Sequence, residues 1–222
     1  MTVLVTTGVY KSFGNHEVLK GIDFRVAPGE FAAIFAPSGS GKTTLLNILA
    51  TVLKPDKGDV RINGKSVLKI SENELNALRR DYIGYAHQSC KMVNSLTLAD
   101  NLALPLLIKG APKSESVRAA NEIAGKLGLT SRLGKYPFQL SFGERKRAVI
   151  AMALCKKPRL AIIDEPTANL DDSNGRVVLE LLDEFRKGND AAVVVATHDE
   201  RVREYADRVY FLHEGGLHAD AE

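Results

Sequence analysis

The stretch that most constrains this chain is Phe31–Leu49, FAAIFAPSGSGKTTLLNIL. An apolar run of strand length, Phe31 to Phe35, stops at a small-residue loop, Ala36 to Gly41. After Lys42-Thr43-Thr44, the residues Leu45, Leu46, Ile48 and Leu49 recur at helical spacing. Strand, Gly/Ser loop, Lys-Thr and helix in that order make a phosphate-binding loop. The physics is anion capture: loop amides and the free N–H groups of the first helical turn converge on a polyphosphate, helped by the positive end of the helix dipole. The loop Ala36, Pro37, Ser38, Gly39, Ser40, Gly41 and the following Lys42, Thr43 and Thr44 are therefore the expected nucleotide-binding residues. Lys42 supplies a mobile cation for the β- and γ-phosphates, and the Thr43 hydroxyl can ligate Mg²⁺. Each charge-assisted contact is worth roughly 1.5–3 kcal/mol. Ala36 stands where the usual pattern opens with Gly. Pro37 pushes the residue before it toward extended backbone, which alanine adopts without strain, so the loop is expected to keep its shape.

Composition sets the outer limits. The chain has 222 residues, 45% hydrophobic and 26% charged, the profile of an ordinary globular protein with room for a sizeable core. A net charge of +3 is too mild to argue for nucleic acid. Arg145-Lys146-Arg147 reads as a solvated helix face. Cys90 and Cys155 form no metal-type pair and suit a reducing compartment. The N-terminus lacks the basic-then-apolar layout of a signal peptide, and no apolar run approaches the ~20 residues of a membrane-spanning helix. A cytoplasmic chain is expected.

Strands are expected over 2–10, 18–26 and 59–62, the last reversed by Asn63-Gly64. Further strands read at 83–86, 160–163, 192–196 and 208–213, the last of these closing the chain. Helices are expected at 72–80, 98–104, 114–127, 144–154, 174–186 and 200–206. Alternating strands and helices imply a parallel sheet covered on both faces, with the helical stretch 89–158 inserted between two parts of a core, 1–88 and 159–222.

Polar residues fall at the ends of the apolar strands. Phe31–Phe35 ends at the phosphate loop, Ile83–Ala86 at His87-Gln88, Leu160–Ile163 at Asp164-Glu165 and Ala192–Ala196 at Thr197-His198. Ligands in open parallel sheets sit beyond the carboxyl ends of the strands, so the four clusters can meet at one nucleotide. Two adjacent carboxylates after a buried strand are costly as mere core residues. Asp164 is read as holding Mg²⁺ and Glu165 as the base that activates the attacking water. His198 is read as a γ-phosphate sensor, and Gln88 gains weight from the same placement.

Leu140-Ser141-Phe142-Gly143-Glu144 precedes the basic helix RKRAVIAMALCKKP. Ser141 with Glu144 three residues on is a capping box, so a helix starts here and offers a second anion site. With this segment the chain resembles the nucleotide-binding subunit of an ABC transporter, LSFGE standing at the place of the signature LSGGQ or LSGGE. APSGSGKTT, YAHQ, LSFGERKR, LAIIDEPTANLD and ATHD occur in the family's order, so the likeness covers nearly the whole chain. It implies an α/β fold of the P-loop NTPase type with a mainly parallel sheet core, an N-terminal antiparallel β part and an inserted helical subdomain.

The resemblance also implies a head-to-tail pair of subunits burying two ATP molecules, each between one phosphate loop and the partner's signature. Leu140 to Glu144 would then face the partner's ATP, with Ser141 and the Gly143 amide contacting its γ-phosphate, and Asp171 would line the dimer seam. Phe13 would stack on adenine. Gln88 would join Mg²⁺ to the helical subdomain, which moves transmembrane permease subunits from the inner face of the membrane. DEPTANLD and NLALPLLIKG are similar to segments of lipoprotein-releasing and macrolide-efflux ATP-binding subunits. Besides Ala36, four positions depart from the family: Phe142 replaces the first signature glycine, Arg145-Lys146 replace the usual Gln or Arg then Gln, and Met152 replaces an Arg. Two functions follow: an ATPase powering a permease, or an ATP-gated dimerising scaffold with slow hydrolysis, which Phe142 keeps open.

Overall fold

A computed structural model describes residues 2–37 and 39–220. Two long antiparallel strands, β1 (Leu4–Phe13) and β2 (His16–Val26), open the chain and β3 (Phe31–Phe35) follows. Next come α1 (Lys42–Leu49), β4 (Lys57–Ile62) and the short β5 (Lys65–Ser66). Asn63 and Gly64 both take positive φ in the β4–β5 turn, as a two-residue hairpin requires. α2 (Glu72–Asp81), opened by a Ser71/Glu74 capping box, leads to β6 (Ile83–Ala86). Three helices, α3 (Leu98–Ile108), α4 (Lys113–Lys126) and α5 (Phe142–Leu154), intervene before β7 (Leu160–Asp164). α6 (Asp172–Asn189), β8 (Ala192–Thr197), β9 (Arg208–His213) and β10 (Gly216–Ala219) complete it.

The strands form two sheets. One is antiparallel in the order β2-β1-β4-β5, and the other runs β10-β9-β3-β8-β7-β6. The second is parallel from β9 to β6, with β10 an antiparallel edge. All residues of β3, β7 and β8 are buried, because both faces of the sheet are covered. Successive side chains of a strand point to opposite faces, and this divides the core. Phe31, Ala33, Phe35, Ile163 and Val195 pack with residues of α3–α6, whereas Ala32, Ile34, Ile162 and Val194 pack with α1 and the antiparallel sheet.

Four details depart from expectation. α3 continues past Leu104 through Pro105 to Ile108, tolerating the ring at the loss of one backbone hydrogen bond. Residues Glu200–Tyr205 form a 3₁₀ helix rather than an α-helix, with i→i+3 bonds from the Val202 amide to the Asp199 carbonyl at 3.2 Å and from the Ala206 amide to the Arg203 carbonyl at 3.3 Å. β10 is an additional strand after β9, reversed at Glu214-Gly215, both at positive φ. Finally, Arg145-Lys146-Arg147 is not a solvated face: Lys146 is 2% exposed.

β6 and α5 approach closely at Gly84, where an added Cβ would lie 2.3 Å from the Ala153 carbonyl oxygen and 2.7 Å from Pro158 Cγ. Gly84→Ala is expected to cost about 2–3 kcal/mol of stability by overpacking, read as a lowered urea midpoint. An unchanged midpoint would show that α5 can retreat from the sheet.

Candidate functional site

Because β3, β8, β7 and β6 are adjacent and parallel, their carboxyl ends lie side by side. Over them sits a cavity of about 650 Å³. Gly39, Gly41, Lys42, Thr43 and Thr44 line it, with Phe13, His16 and Val18 from the β1–β2 hairpin; Gln88, Glu165, Ala168, Asn169 and His198 complete the wall. Gly39 and Gly41 take φ of 81° and 95°, conformations that glycine adopts without a Cβ penalty. Gly41 also has no room for a side chain, since a Cβ would lie 2.7 Å from Val18 Cγ1. Ala36 does not enter the positive-φ region, so its departure from glycine carries no backbone strain. No side chain caps the start of α1, which leaves its first-turn amides for a ligand.

The carboxylate turn is tightly organised. Asp164 is fully buried; Thr43 Oγ1 donates to its Oδ2 at 3.1 Å, while Oδ1 is buried without a hydrogen-bond partner. Burial pushes the Asp164 carboxyl above its ordinary pKa. An orphaned carboxylate oxygen beside a hydroxyl is a costly arrangement by itself. It fits a hard divalent cation, because Mg²⁺ takes one or two such oxygens and completes its shell with phosphate and water.

Glu165 adopts φ 52°, a left-handed conformation unusual for a residue with a side chain. Its carboxylate receives hydrogen bonds from Lys42, which pairs with Oε1, and from Thr197 Oγ1 to Oε2 at 3.1 Å. His198 Nδ1 lies 2.9 Å from Oε1. Burial alone would raise the Glu165 pKa, but the hydrogen bonds from Lys42 and His198 outweigh it and hold the group below its ordinary value.

The site residues inferred from sequence divide into groups. Lys42, Thr43, Thr44, Gly39, Gly41, Gln88, Glu165, His198 and Phe13 meet at the cavity, and Asp164 lies beneath it on Thr43. Phe13 is 53% exposed, its ring open to a ligand. Ala36 and Pro37 border a separate hollow of about 250 Å³ beside Phe211. Ser40 does not line the cavity, although its hydroxyl is buried and unpartnered. Ser38 lies outside the described residues.

The signature residues and Asp171 do not reach this cavity. Leu140 is buried in the core. Ser141 caps α5, its hydroxyl accepting from the Glu144 amide at 3.2 Å, while Glu144 accepts from the Ser141 amide and pairs with Arg132. Gly143 packs closely on Leu170, a Cβ there lying 3.0 Å from Cδ2. Phe142 is 44% exposed beside Arg145, whose guanidinium lies 6.0 Å from the ring centre. Asp171 caps α6, and hydrogen bonds from Asn174 and Ser173 depress its pKa strongly.

Sequence reasoning missed His16 and Val18, which bear no charge pattern or motif spacing, and gave no role to Ala168 and Asn169 although they lie within DEPTANLD. It also missed Lys146, whose Nζ donates to the Asp164 carbonyl oxygen at 2.7 Å. The only signal there was a cation at a position where Gln is usual.

A phosphate loop, an orphaned carboxylate and a second acid at the ends of parallel strands define a nucleotide triphosphatase. The ABC transporter family profile matches residues 19–168, and the chain belongs to that family. It is an ATPase, binding ATP with Mg²⁺. The ABC transporter ATP-binding protein YxdL of Bacillus subtilis is 38% identical over 208 residues, covering 94% of this chain and 81% of that protein. The lipoprotein-releasing system ATP-binding protein LolD of Legionella pneumophila is 38% identical over 221 residues, covering 98% and 97%. A solved dimeric post-hydrolysis state of the ATP-binding cassette MJ0796, bound to ADP and Pi, superposes with a TM-score of 0.91 at 32% identity, covering 96% of each chain.

Proposed function

We propose that this chain is the ATP-hydrolysing subunit of a transporter of the lipoprotein-release or efflux type, working as a head-to-tail dimer. The observation that carries the reading is the meeting of Lys42, Thr43, Glu165 and His198 on one cavity above Asp164. Phe13 stacks on the adenine, the α1 amides and Lys42 hold the phosphates, and Thr43, Asp164 and Gln88 would hold Mg²⁺, which when bound would supply neutralisation of the phosphate charge. An arriving triphosphate competes with Glu165 for Lys42. The released carboxylate then accepts a proton from the attacking water, and His198, beside it, senses the γ-phosphate.

The α5 N-terminus, with Ser141 and Gly143, serves the partner's ATP, and Asp171 lies on the seam. Residues 89–158 act as the helical subdomain that contacts the permease. The dimeric state of MJ0796 and the name of LolD support these assignments. No helix among the described residues is long and apolar enough to cross a membrane. In this reading the chain sits at the cytoplasmic face of the membrane, held there by the permease.

The test is steady-state ATPase activity of the chain alone and reconstituted with its co-purified permease in vesicles. Stimulation by the permease is expected. Nucleotide-driven dimerisation without turnover in either preparation would favour the scaffold. Phe142→Gly is expected to raise turnover severalfold by clearing the half-exposed ring from the dimer face, at about 0.5 kcal/mol of helix stability. Unchanged turnover would place the ring away from the partner.

A further inference from the structure

α5 carries a buried cation that the phosphate chemistry above leaves unused. Lys146 is 2% exposed, and its ammonium donates to the main-chain oxygen of Asp164 at 2.7 Å. A lysine interred merely to fill space would be a poor choice, since an apolar side chain of the same length avoids the desolvation of a charge. The carboxylates of Asp164 and Glu165 are near enough to favour its charge, though neither forms an ion pair with it, and burial outweighs their pull on the ammonium.

The main-chain oxygen it grips belongs to the peptide joining Asp164 to Glu165. The other side of that peptide is also held, as the Glu165 amide donates to the Ala196 carbonyl oxygen at 2.8 Å. A peptide clamped at both its oxygen and its nitrogen cannot swing. Swinging is the motion that would let Glu165 relax from φ 52° to an ordinary negative value. A charge-assisted hydrogen bond outweighs the strain of one left-handed residue.

We propose that Lys146 is a positioning residue for hydrolysis: through the Asp164 carbonyl it locks the turn that aims the Glu165 carboxylate into the ATP cavity. The inference rests on the assignment of Glu165 as the base. A glutamine amide N–H₂ at the same position can donate to this carbonyl without carrying a charge.

The test compares Lys146→Met with Lys146→Gln in the full chain, measuring kcat and KM for ATP together with Kd for a fluorescent ATP analogue. Methionine keeps length and removes the donor, and an apolar replacement of a buried ammonium is compatible with folding, which a thermal melt checks. For Lys146→Met, kcat is expected to fall on the order of tenfold to a hundredfold, the scale of a misplaced catalytic group, while KM and Kd stay within about twofold. Lys146→Gln is expected to recover most of the lost kcat. Wild-type kcat in Lys146→Met overturns the proposal, as does a rise in KM with kcat preserved, or equal impairment of the Met and Gln variants. Failure of the base assignment looks different: Glu165→Gln would then turn over at the wild-type rate whatever stands at 146.

Discussion

Glu165→Gln is expected to bind ATP as the wild type does while hydrolysis falls by about 10²–10⁴-fold, the contribution of a positioned general base. The amide is nearly isosteric with the carboxylate, so the turn survives the exchange. Its oxygen still accepts from Lys42 and His198, and the Thr197 hydroxyl, now 3.1 Å from Oε2, can rotate to accept from the new N–H₂. What disappears is basicity. With binding intact and hydrolysis stopped, the dimer that closes on ATP has no route to reopen and accumulates. Phosphate release and size-exclusion chromatography with ATP and Mg²⁺ read the two effects separately. A monomer that retains wild-type turnover would remove Glu165 from the base's role.

Lys42→Ala is expected to weaken ATP binding by about 10- to 150-fold, equivalent to losing one charge-assisted contact of roughly 1.5–3 kcal/mol, with hydrolysis lost alongside. A second consequence follows from the ion pair with Glu165, whose side chains are 12% and 4% exposed. Removing one partner of a buried pair costs about 3–5 kcal/mol when the other is left uncompensated. Thr197 and His198 still contact the carboxylate, so the loss is expected at or below the lower end of that range. Adding Glu165→Gln to Lys42→Ala should restore the melting temperature, because no buried charge is then stranded, but not ATP affinity. Retained affinity and turnover in Lys42→Ala would refute the phosphate-cradle role. Restored affinity in the double variant would mean that Glu165 opposes binding more than Lys42 supports it.

Much of this arrangement is legible in the chain because its signals are local. The phosphate loop, the Ser141/Glu144 capping box and the Asn63-Gly64 turn each depend on residues within a few positions of one another, so spacing suffices to find them. Four polar strand ends mark a shared site because parallel strands place their carboxyl ends on one edge. The misses have the opposite character. β10 depends on pairing with β9 across Glu214-Gly215, a turn weaker in sequence than Asn-Gly. The 3₁₀ geometry of Glu200–Tyr205 lies in i→i+3 rather than i→i+4 bonding over six residues, a difference that hydrophobic spacing does not encode. Pro105 would ordinarily end a helix, yet α3 runs on to Ile108 although Leu107 and Ile108 are exposed.

By itself the sequence determined the anion-binding loop, the alternation of strand and helix, the order of the motifs and the identity of the acids, since backbone sterics and hydrophobic periodicity act over a few residues. Only the tertiary structure decided which of those groups touch. It set Lys42 on Glu165, left Asp164 Oδ1 without a partner, brought His16 and Val18 to the cavity wall and turned Lys146 inward from a segment that reads as solvated. The physical reason is that charge pairing and burial depend on distance in space, and distance across a sheet is fixed by strand order rather than by position along the chain.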